Sequence, residues 1–239
     1  MIVINKKRIS IIVICLLLGI FAYSYEGTKI NLDQEIQETT STPVSGKVIV
    51  LDAGHGVPDE GAQSSRGTTE AETNLKIALK VQNLLEQSGC TVILTRSDEN
   101  AIYDLDKNTL REKKISDIRN RVKIGNSSSA DIFVSIHLNK IPQQQYWGWQ
   151  CFYNSKNEKS INLAKKIQAN LNGAIQKENK RVAMKLDTVY IMKHVEIPIS
   201  IVECGFLSNP EEEQQLLNDE YQDKLAWGIF NGIIEYFNE

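Results

Sequence analysis

Apolar and polar positions alternate along this chain in two different periods, which mark predicted strands and helices. Short apolar, β-branched runs predict six strands, at Val48–Asp52, Thr91–Thr95, Asp131–His137, Gly148–Tyr153, Thr188–Met192 and Ile199–Cys204. Apolar positions three or four residues apart predict helices at Glu70–Gln87, Arg111–Ile124, Asn157–Gln176 and Tyr221–Tyr236, with a short helical turn after Pro210. Strands alternating with helices predict one α/β domain with a largely parallel central sheet.

The first 25 residues have the pattern of an export signal. Lys6, Lys7 and Arg8 precede an apolar run over residues 9–25, and this order is typical of a signal peptide or a membrane anchor. The polar, threonine-rich residues 26–46 predict a tether without regular structure. We therefore predict a leader at 1–25, a tether at 26–46 and a folded domain at 47–239, exported from the cytoplasm.

Composition narrows the functional classes only a little. The 239 residues include 27 basic and 30 acidic side chains, for a formal net charge of -3, and nothing in this balance favours a nucleic acid as partner. Cys15 lies in the predicted leader. Cys90, Cys151 and Cys204 stand in apolar runs at no metal-like spacing, so we interpret them as buried free thiols rather than as a disulfide framework.

Chemistry-bearing side chains follow three of the predicted strands. His55 comes after the first strand between two glycines, His137 ends the third, and Glu203 ends the sixth. Ligand-binding groups of open α/β sheets gather at the carboxyl ends of the strands, so these three side chains are expected to converge. The third histidine, His194, stands in a polar turn and is expected at the surface.

Two imidazoles at strand ends favour a metal site. A catalytic zinc site usually takes three His, Asp or Glu ligands and leaves a fourth position open. Glu70 and Glu72 both begin the first long helix, where a negative charge also stabilises the helix dipole; physical reasoning alone leaves the choice between them open. A carboxylate directly after an apolar strand is costly to bury, so Glu203 is either part of a structural ion pair or a general base.

Four sequence blocks resemble those of a known family, the zinc-dependent N-acetylmuramoyl-L-alanine amidases of the amidase 3 type. The blocks are VIVLDAGHG at 48–56, EAETNL at 70–75, ADIFVSIHLN at 130–139 and IPISIVECGFLSNPEE at 197–212. They occur in the order that the family has, and together they span the whole predicted domain. The resemblance implies a mixed sheet flanked by helices within a single catalytic domain.

The resemblance also implies a role for each candidate residue. His55, Glu70 and His137 fall on the positions of the zinc ligands, Glu203 on the catalytic glutamate, and Asn139 on a polar residue that orients substrate. The implied cofactor is Zn²⁺ and the implied substrate is peptidoglycan, a glycan strand with stem peptides. The membrane is an implied partner through the amino-terminal segment, and the sequence leaves open whether an accessory protein loads the zinc.

A narrower resemblance concerns the segment GWQCFYNSKNEKS at 148–160, which is similar to a segment of amidases that act on the spore cortex. It implies a part in making muramic-δ-lactam, at the membrane face or in the wall. Three alternatives stay open: a general vegetative wall amidase, another zinc hydrolase of the same polymer such as a carboxypeptidase or deacetylase, and a peptidoglycan-binding module without catalysis.

Overall fold

A computed structural model describes residues 17–26 and 42–238. Most of the predicted leader and tether, including Cys15, lies outside the described residues. Residues 17–26 are helical, and within the described parts of the chain no helix combines the length and apolarity needed to cross a membrane. Chain contacts separate residues before Thr42 from a compact unit that begins at Thr42.

The described residues of the compact unit form six strands and six helices, which alternate over most of the chain. The strands are β1 (Val48–Ala53), β2 (Thr91–Leu94), β3 (Ile132–Asn139), β4 (Gln150–Tyr153), β5 (Met184–Lys185) and β6 (Ile199–Phe206). The helices are α1 (Glu70–Gln87), α2 (Leu110–Ser127), α3 (Glu158–Ala174), α4 (Tyr190–His194), α5 (Pro210–Leu216) and α6 (Asp219–Phe237). The predicted α/β class is therefore confirmed.

The sheet is mixed, with the strand order β2-β1-β3-β6-β4-β5. All neighbouring pairs run parallel except β4 with β6, which run antiparallel. The carboxyl ends of β1, β3 and β6 therefore lie at the same end of the sheet, and the start of β4 lies at that end too. Any side chain at these four points is brought to one place by the topology.

The two faces of the sheet are covered unequally. Helices α1, α3 and α6 bury one face in the larger apolar cluster, which includes Ile77, Ile167 and Ile229. A smaller cluster on the other face joins Phe133 and Ile201 of the strands to residues of α2 and α4. Along β3 and β6 the side chains alternate between these faces, as the pleat of a strand requires. The buried polar side chains of β1 and β3, Asp52 and Ser135, lie on the face of α2.

The folded unit reaches upstream of the boundary predicted at residue 47. Val44 is fully buried in the larger cluster, and its carbonyl oxygen accepts a hydrogen bond from the Cys90 thiol at 3.3 Å. The Thr42 hydroxyl donates to the carbonyl of Ser88 at 2.6 Å. Residues 42–46 thus pack on the domain. As predicted, Cys90, Cys151 and Cys204 are buried free thiols.

The strand predicted at Thr188–Met192 is wrong. The fifth strand is Met184–Lys185, at the sheet edge beside β4, and residues 190–194 form the short helix α4. Ile191 and Met192 are buried in the smaller cluster as part of a helical turn. A short apolar run has no period that distinguishes a buried strand from a buried helical turn, and here a helix achieves the burial beneath the sheet.

Close packing between α3 and α6 generates a prediction of stability. A Cβ atom at Gly232 would lie 2.4 Å from the Ile167 Cα, so Gly232→Ala forces backbone apart and should lower the free energy of unfolding by about 1–3 kcal/mol. A Cβ atom at Gly173 would meet nothing within 4 Å; Gly173→Ala should raise the free energy by about 0.5–1 kcal/mol. Urea unfolding measures both, and equal effects would contradict the packing argument.

Candidate metal centre

Three side chains meet at the carboxyl edge of the sheet. One ligand atom from each of His55, Glu70 and His137 lies within 4.8 Å of the other two. Glu70 Oε1 is 3.3 Å from His55 Nε2 and 2.9 Å from His137 Nδ1. The two imidazole rings stand nearly perpendicular, with centroids 5.1 Å apart. Two nitrogen donors and one carboxylate at this spacing form a donor set that suits a divalent metal.

Each of the three side chains is positioned by a different element. His55 follows β1 after one intervening glycine, His137 lies near the end of β3, and Glu70 is the first residue of α1. The Thr69 side chain caps α1 by accepting a hydrogen bond from the Glu72 amide. Helix α1 therefore starts where its first carboxylate reaches both imidazoles.

Glycines make room for the imidazole rings. A Cβ atom at Gly54 would lie 2.2 Å from the His137 ring, and one at Gly61 would lie 2.6 Å from Glu70 Oε2 and 2.7 Å from the His55 ring. His55 itself has φ 63°, a left-handed conformation that is uncommon for residues other than glycine. This strained backbone conformation directs the His55 imidazole toward Glu70 and His137.

A second carboxylate orients His55 from outside the cluster. Asp59 Oδ2 lies 3.2 Å from His55 Nδ1 and 3.0 Å from Lys114 Nζ. A carboxylate on one imidazole nitrogen fixes the ring and directs the other nitrogen toward a metal. His55 presents Nε2 to Glu70 in this way.

The electrostatics of the cluster favour a positive charge among these groups. Burial alone would lower the pKa of His55, but the carboxylates of Asp59 and Glu70 raise it to about 9. Burial likewise opposes ionisation of Glu70, yet the two imidazoles hold its pKa well below the usual value. The neighbours therefore stabilise the ionised carboxylate of Glu70 between the two imidazole rings.

Glu203 stands beside this cluster on β6. Its Cα is the register partner of His137 on β3, so both side chains lie on the face of α2. Burial raises the pKa of Glu203 to about 7. Its Oε2 is shielded from solvent and has no hydrogen-bond partner among the described residues. An unpartnered carboxylate oxygen next to two imidazoles is suited to proton transfer or to contact with a bound cation.

Two buried arginines, not predicted from the sequence, hold the loop that carries His55. Arg121 donates to the carbonyls of Ala53 at 2.7 Å and His55 at 2.6 Å, and also to Asp52 Oδ1 at 2.6 Å. Arg96 donates to the carbonyls of Ala53 at 2.8 Å and Gly54 at 3.0 Å. Arg121 stands on the same face of α2 as Ile118 and Val122. A charged residue on an apolar helix face is the feature of the sequence that indicates a buried, paired arginine.

A cavity of about 260 Å³ opens beside the cluster. Its lining includes His55, His137 and Glu203 together with the apolar side chains of Ile118, Leu186, Val189, Ile191 and Ile201. A small apolar chamber with a few convergent polar groups is typical of a substrate pocket.

The candidate residues are placed as follows. The structure brings His55, Glu70, His137 and Glu203 together, whereas Glu72 is exposed and forms an ion pair with Lys76 at 2.7 Å. Asn139 lies at the end of β3 and does not line the cavity. As predicted, His194 is exposed; its ring stacks on Tyr190 with centroids 3.9 Å apart.

The fold and the cluster together define the class, a single-domain α/β protein with the donor set of a hydrolytic metal enzyme. The model of the N-acetylmuramoyl-L-alanine amidase family matches residues 49–235. The chain belongs to this family. Its enzymatic activity is hydrolysis of the amide between N-acetylmuramic acid and L-alanine, and its substrate is peptidoglycan.

Individual relatives agree with this family. The chain is 36% identical over 224 residues to the germination-specific N-acetylmuramoyl-L-alanine amidase of Bacillus subtilis (strain 168), covering 94% of this chain and 91% of the relative. Its structure is similar to that of the CwlD amidase from Clostridioides difficile in complex with the GerS lipoprotein, with TM-score 0.79, 42% identity, and coverage of 81% and 99%. The catalytic domain of CwlV from Bacillus (Paenibacillus) polymyxa aligns with TM-score 0.70, 31% identity, and coverage of 80% and 98%.

The different surroundings of Glu70 and Glu72 predict different effects on metal affinity. Glu70→Gln removes the charge that faces both imidazoles and should weaken binding of Zn²⁺, used as the probe, by about 10–100-fold or more. Glu72→Gln, two positions away on the exposed side of the same helix, should change affinity less than about twofold. Competition titration against a chelating dye measures both constants, and a similar loss in the two variants would rule out Glu70 as a ligand.

Proposed function

We propose that this chain is a zinc-dependent N-acetylmuramoyl-L-alanine amidase that is exported and acts on peptidoglycan of the spore cortex. The cluster of His55, Glu70 and His137 supports the choice of metal, because two imidazoles and one carboxylate are ligands that catalytic zinc takes. When bound, zinc polarises the scissile carbonyl and lowers the pKa of water, which makes an amide open to hydrolysis near neutral pH.

The observation that carries the proposal is the position of Glu203. Its carboxylate lies beside the three ligands, and its Oε2 has no hydrogen-bond partner in the described part of the chain. Burial raises its pKa to about 7, close to the value at which a general base works best in neutral solution.

Proton transfer by Glu203 completes the hydrolysis. The carboxylate accepts a proton from the attacking water as the oxygen bonds to the scissile carbonyl carbon. The same group then delivers that proton to the nitrogen of L-alanine as the C–N bond breaks. The products are a lactyl carboxylate on the glycan strand and a stem peptide with a free amino group. Asn139, at the end of β3, orients the substrate in this proposal from outside the cavity.

Removing the base without changing its shape tests this step. Glu203→Gln is nearly isosteric but cannot accept the proton, so kcat should fall about 10²–10⁴-fold while Zn²⁺ affinity stays within a few-fold. Glu211→Gln, at an exposed glutamate at the start of α5, serves as the matched control and should keep full activity. Release of L-alanine amino groups from purified peptidoglycan gives the rate. A Glu203→Gln rate within about tenfold of the unchanged protein would make the residue structural.

The assignment to the cortex is supported by relatives and by sequence. The Bacillus subtilis relative is germination-specific by name, and the segment at 148–160 resembles that of cortex amidases. The Clostridioides difficile relative was solved with a lipoprotein, so we include an accessory lipoprotein among the proposed partners of this chain. The predicted leader at 1–25 is the proposed means of export and of contact with the membrane.

A gene deletion separates the cortex role from a general role in the wall. Loss of a cortex amidase should leave vegetative growth normal, remove muramic-δ-lactam from spore peptidoglycan and block germination, because the lactam forms only after the stem peptide has been removed. Muropeptide analysis of spores measures the lactam. Unseparated chains of cells with a cortex that keeps its lactam would assign the enzyme to vegetative wall turnover instead.

A further inference from the structure

The row of side chains at the carboxyl end of β6 continues from Glu203 to the neighbouring strand β4. Gln150, the first residue of β4, is the antiparallel register partner of Glu203, so the two side chains lie on the same face of the sheet. Neighbouring strands are about 5 Å apart. Moving along the edge from His137, the order is therefore His137, Glu203 and then Gln150.

The guanidinium of Arg181 is fixed beyond Gln150. Its Nη1 donates to Gln150 Oε1 at 3.1 Å, and its Nε donates to the Trp147 carbonyl at 3.1 Å. Its Cζ lies 4.6 Å from the centroid of the Phe206 ring. Two acceptors and one aromatic face hold the guanidinium in one orientation, so binding a ligand costs it little further side-chain entropy.

This fixed guanidinium has donors to spare. Arginine carries five N–H groups, and the two contacts above use two of them. Among the described residues no carboxylate forms an ion pair with Arg181. The nearby Glu212 carboxylate interacts electrostatically with Arg181, but it accepts its hydrogen bonds from the backbone amides of Gly148 and Phe206, at 2.7 and 2.8 Å, and leaves the guanidinium N–H groups free of it.

Space for a ligand lies directly against Arg181. An open pocket of about 480 Å³ is bounded by Tyr146, Trp147 and Asn179 as well as by Arg181. Glu178 also borders it, paired with Lys180 at 3.7 Å. Lys177 Nζ stands 3.7 Å from the Trp147 ring centroid. Arg181, Lys180 and two aromatic side chains thus border an opening on the β4 side of the cluster of His55, Glu70 and His137.

We propose that Arg181 is a carboxylate-binding subsite that recognises a free carboxylate of the stem peptide, on the β4 side of the scissile amide. The inference rests on the proposed amidase function. One strand spacing and one hydrogen-bonded contact place the guanidinium on the order of 10 Å from Glu203. An extended peptide covers about 3.3–3.6 Å per residue, so the second or third residue of a stem peptide reaches Arg181. Stem peptides carry free carboxylates at these residues, and a guanidinium binds a carboxylate through two parallel hydrogen bonds.

The test compares two preparations of purified peptidoglycan that differ only in whether the glutamate α-carboxylates of the stem are free or amidated. With the zinc-loaded full-length chain, the unchanged protein should release L-alanine amino groups faster from the free-carboxylate polymer, by about tenfold or more. Arg181→Gln should lower that rate about 10–100-fold and leave the rate on the amidated polymer within about twofold. Arg181→Lys should restore part of the preference, because it keeps the charge without the planar donor pair.

Activity on the amidated polymer reports whether each variant folds and binds zinc. Arg119→Gln, at an exposed arginine of α2, is the matched control and should behave as the unchanged protein. Equal losses on both polymers in Arg181→Gln, or an unchanged protein that does not distinguish the polymers, would overturn the subsite. An unchanged protein that releases no L-alanine amino groups from either polymer would overturn the amidase proposal itself.

Discussion

The candidate metal centre of this protein depends on one buried ion pair, between Arg121 of α2 and Asp52 of β1. Both side chains are almost completely shielded from solvent, and Arg121 Nη1 lies 2.6 Å from Asp52 Oδ1. Burial alone would raise the pKa of Asp52, but Arg121 and the hydroxyls of Ser135 and Thr95 hold it below the usual value. Removing Arg121 would leave the buried Asp52 carboxylate without its cation, at a cost of about 3–5 kcal/mol, so this ion pair holds strand and helix together.

This ion pair fixes the path of the chain from Asp52 to His55. The guanidinium spans from Asp52 to the carbonyls of Ala53 and His55, which covers the turn from the end of β1 to His55. With its carbonyl anchored, His55 is held at φ 63°, where an unsupported histidine would relax toward a commoner conformation. The backbone that carries the imidazole is thus held by an arginine on another element, 66 residues further along the chain.

The sequence predicts the parts of this protein whose causes are local. Apolar periods locate most of the strands and helices, and strand ends locate His55, His137 and Glu203. The choice of Glu70 over Glu72 came only from the family resemblance, because both residues satisfy the helix dipole equally well. Arg121, Arg96 and Asp59 were not predicted, since their roles depend on which distant carbonyls and rings the fold brings to them. Residues 188–192 were assigned wrongly for a related reason: burial beneath the sheet, and not their own pattern, decides their conformation.

Function and stability are divided between the two faces of the sheet. Three helices cover one face with the larger apolar cluster, and this burial supplies most of the hydrophobic stabilisation. The other face carries only the smaller cluster, together with Asp52, His137 and a Glu203 oxygen that has no partner in the described residues. An unpaired buried carboxylate opposes folding, and a domain tolerates it where the remaining core is large enough to offset the cost. A cation bound beside Glu203 reduces that cost, because it favours the ionised form electrostatically. The smaller cluster on this face therefore leaves space for the cavity beside the buried Glu203 carboxylate, and the larger cluster on the opposite face offsets the cost in stability.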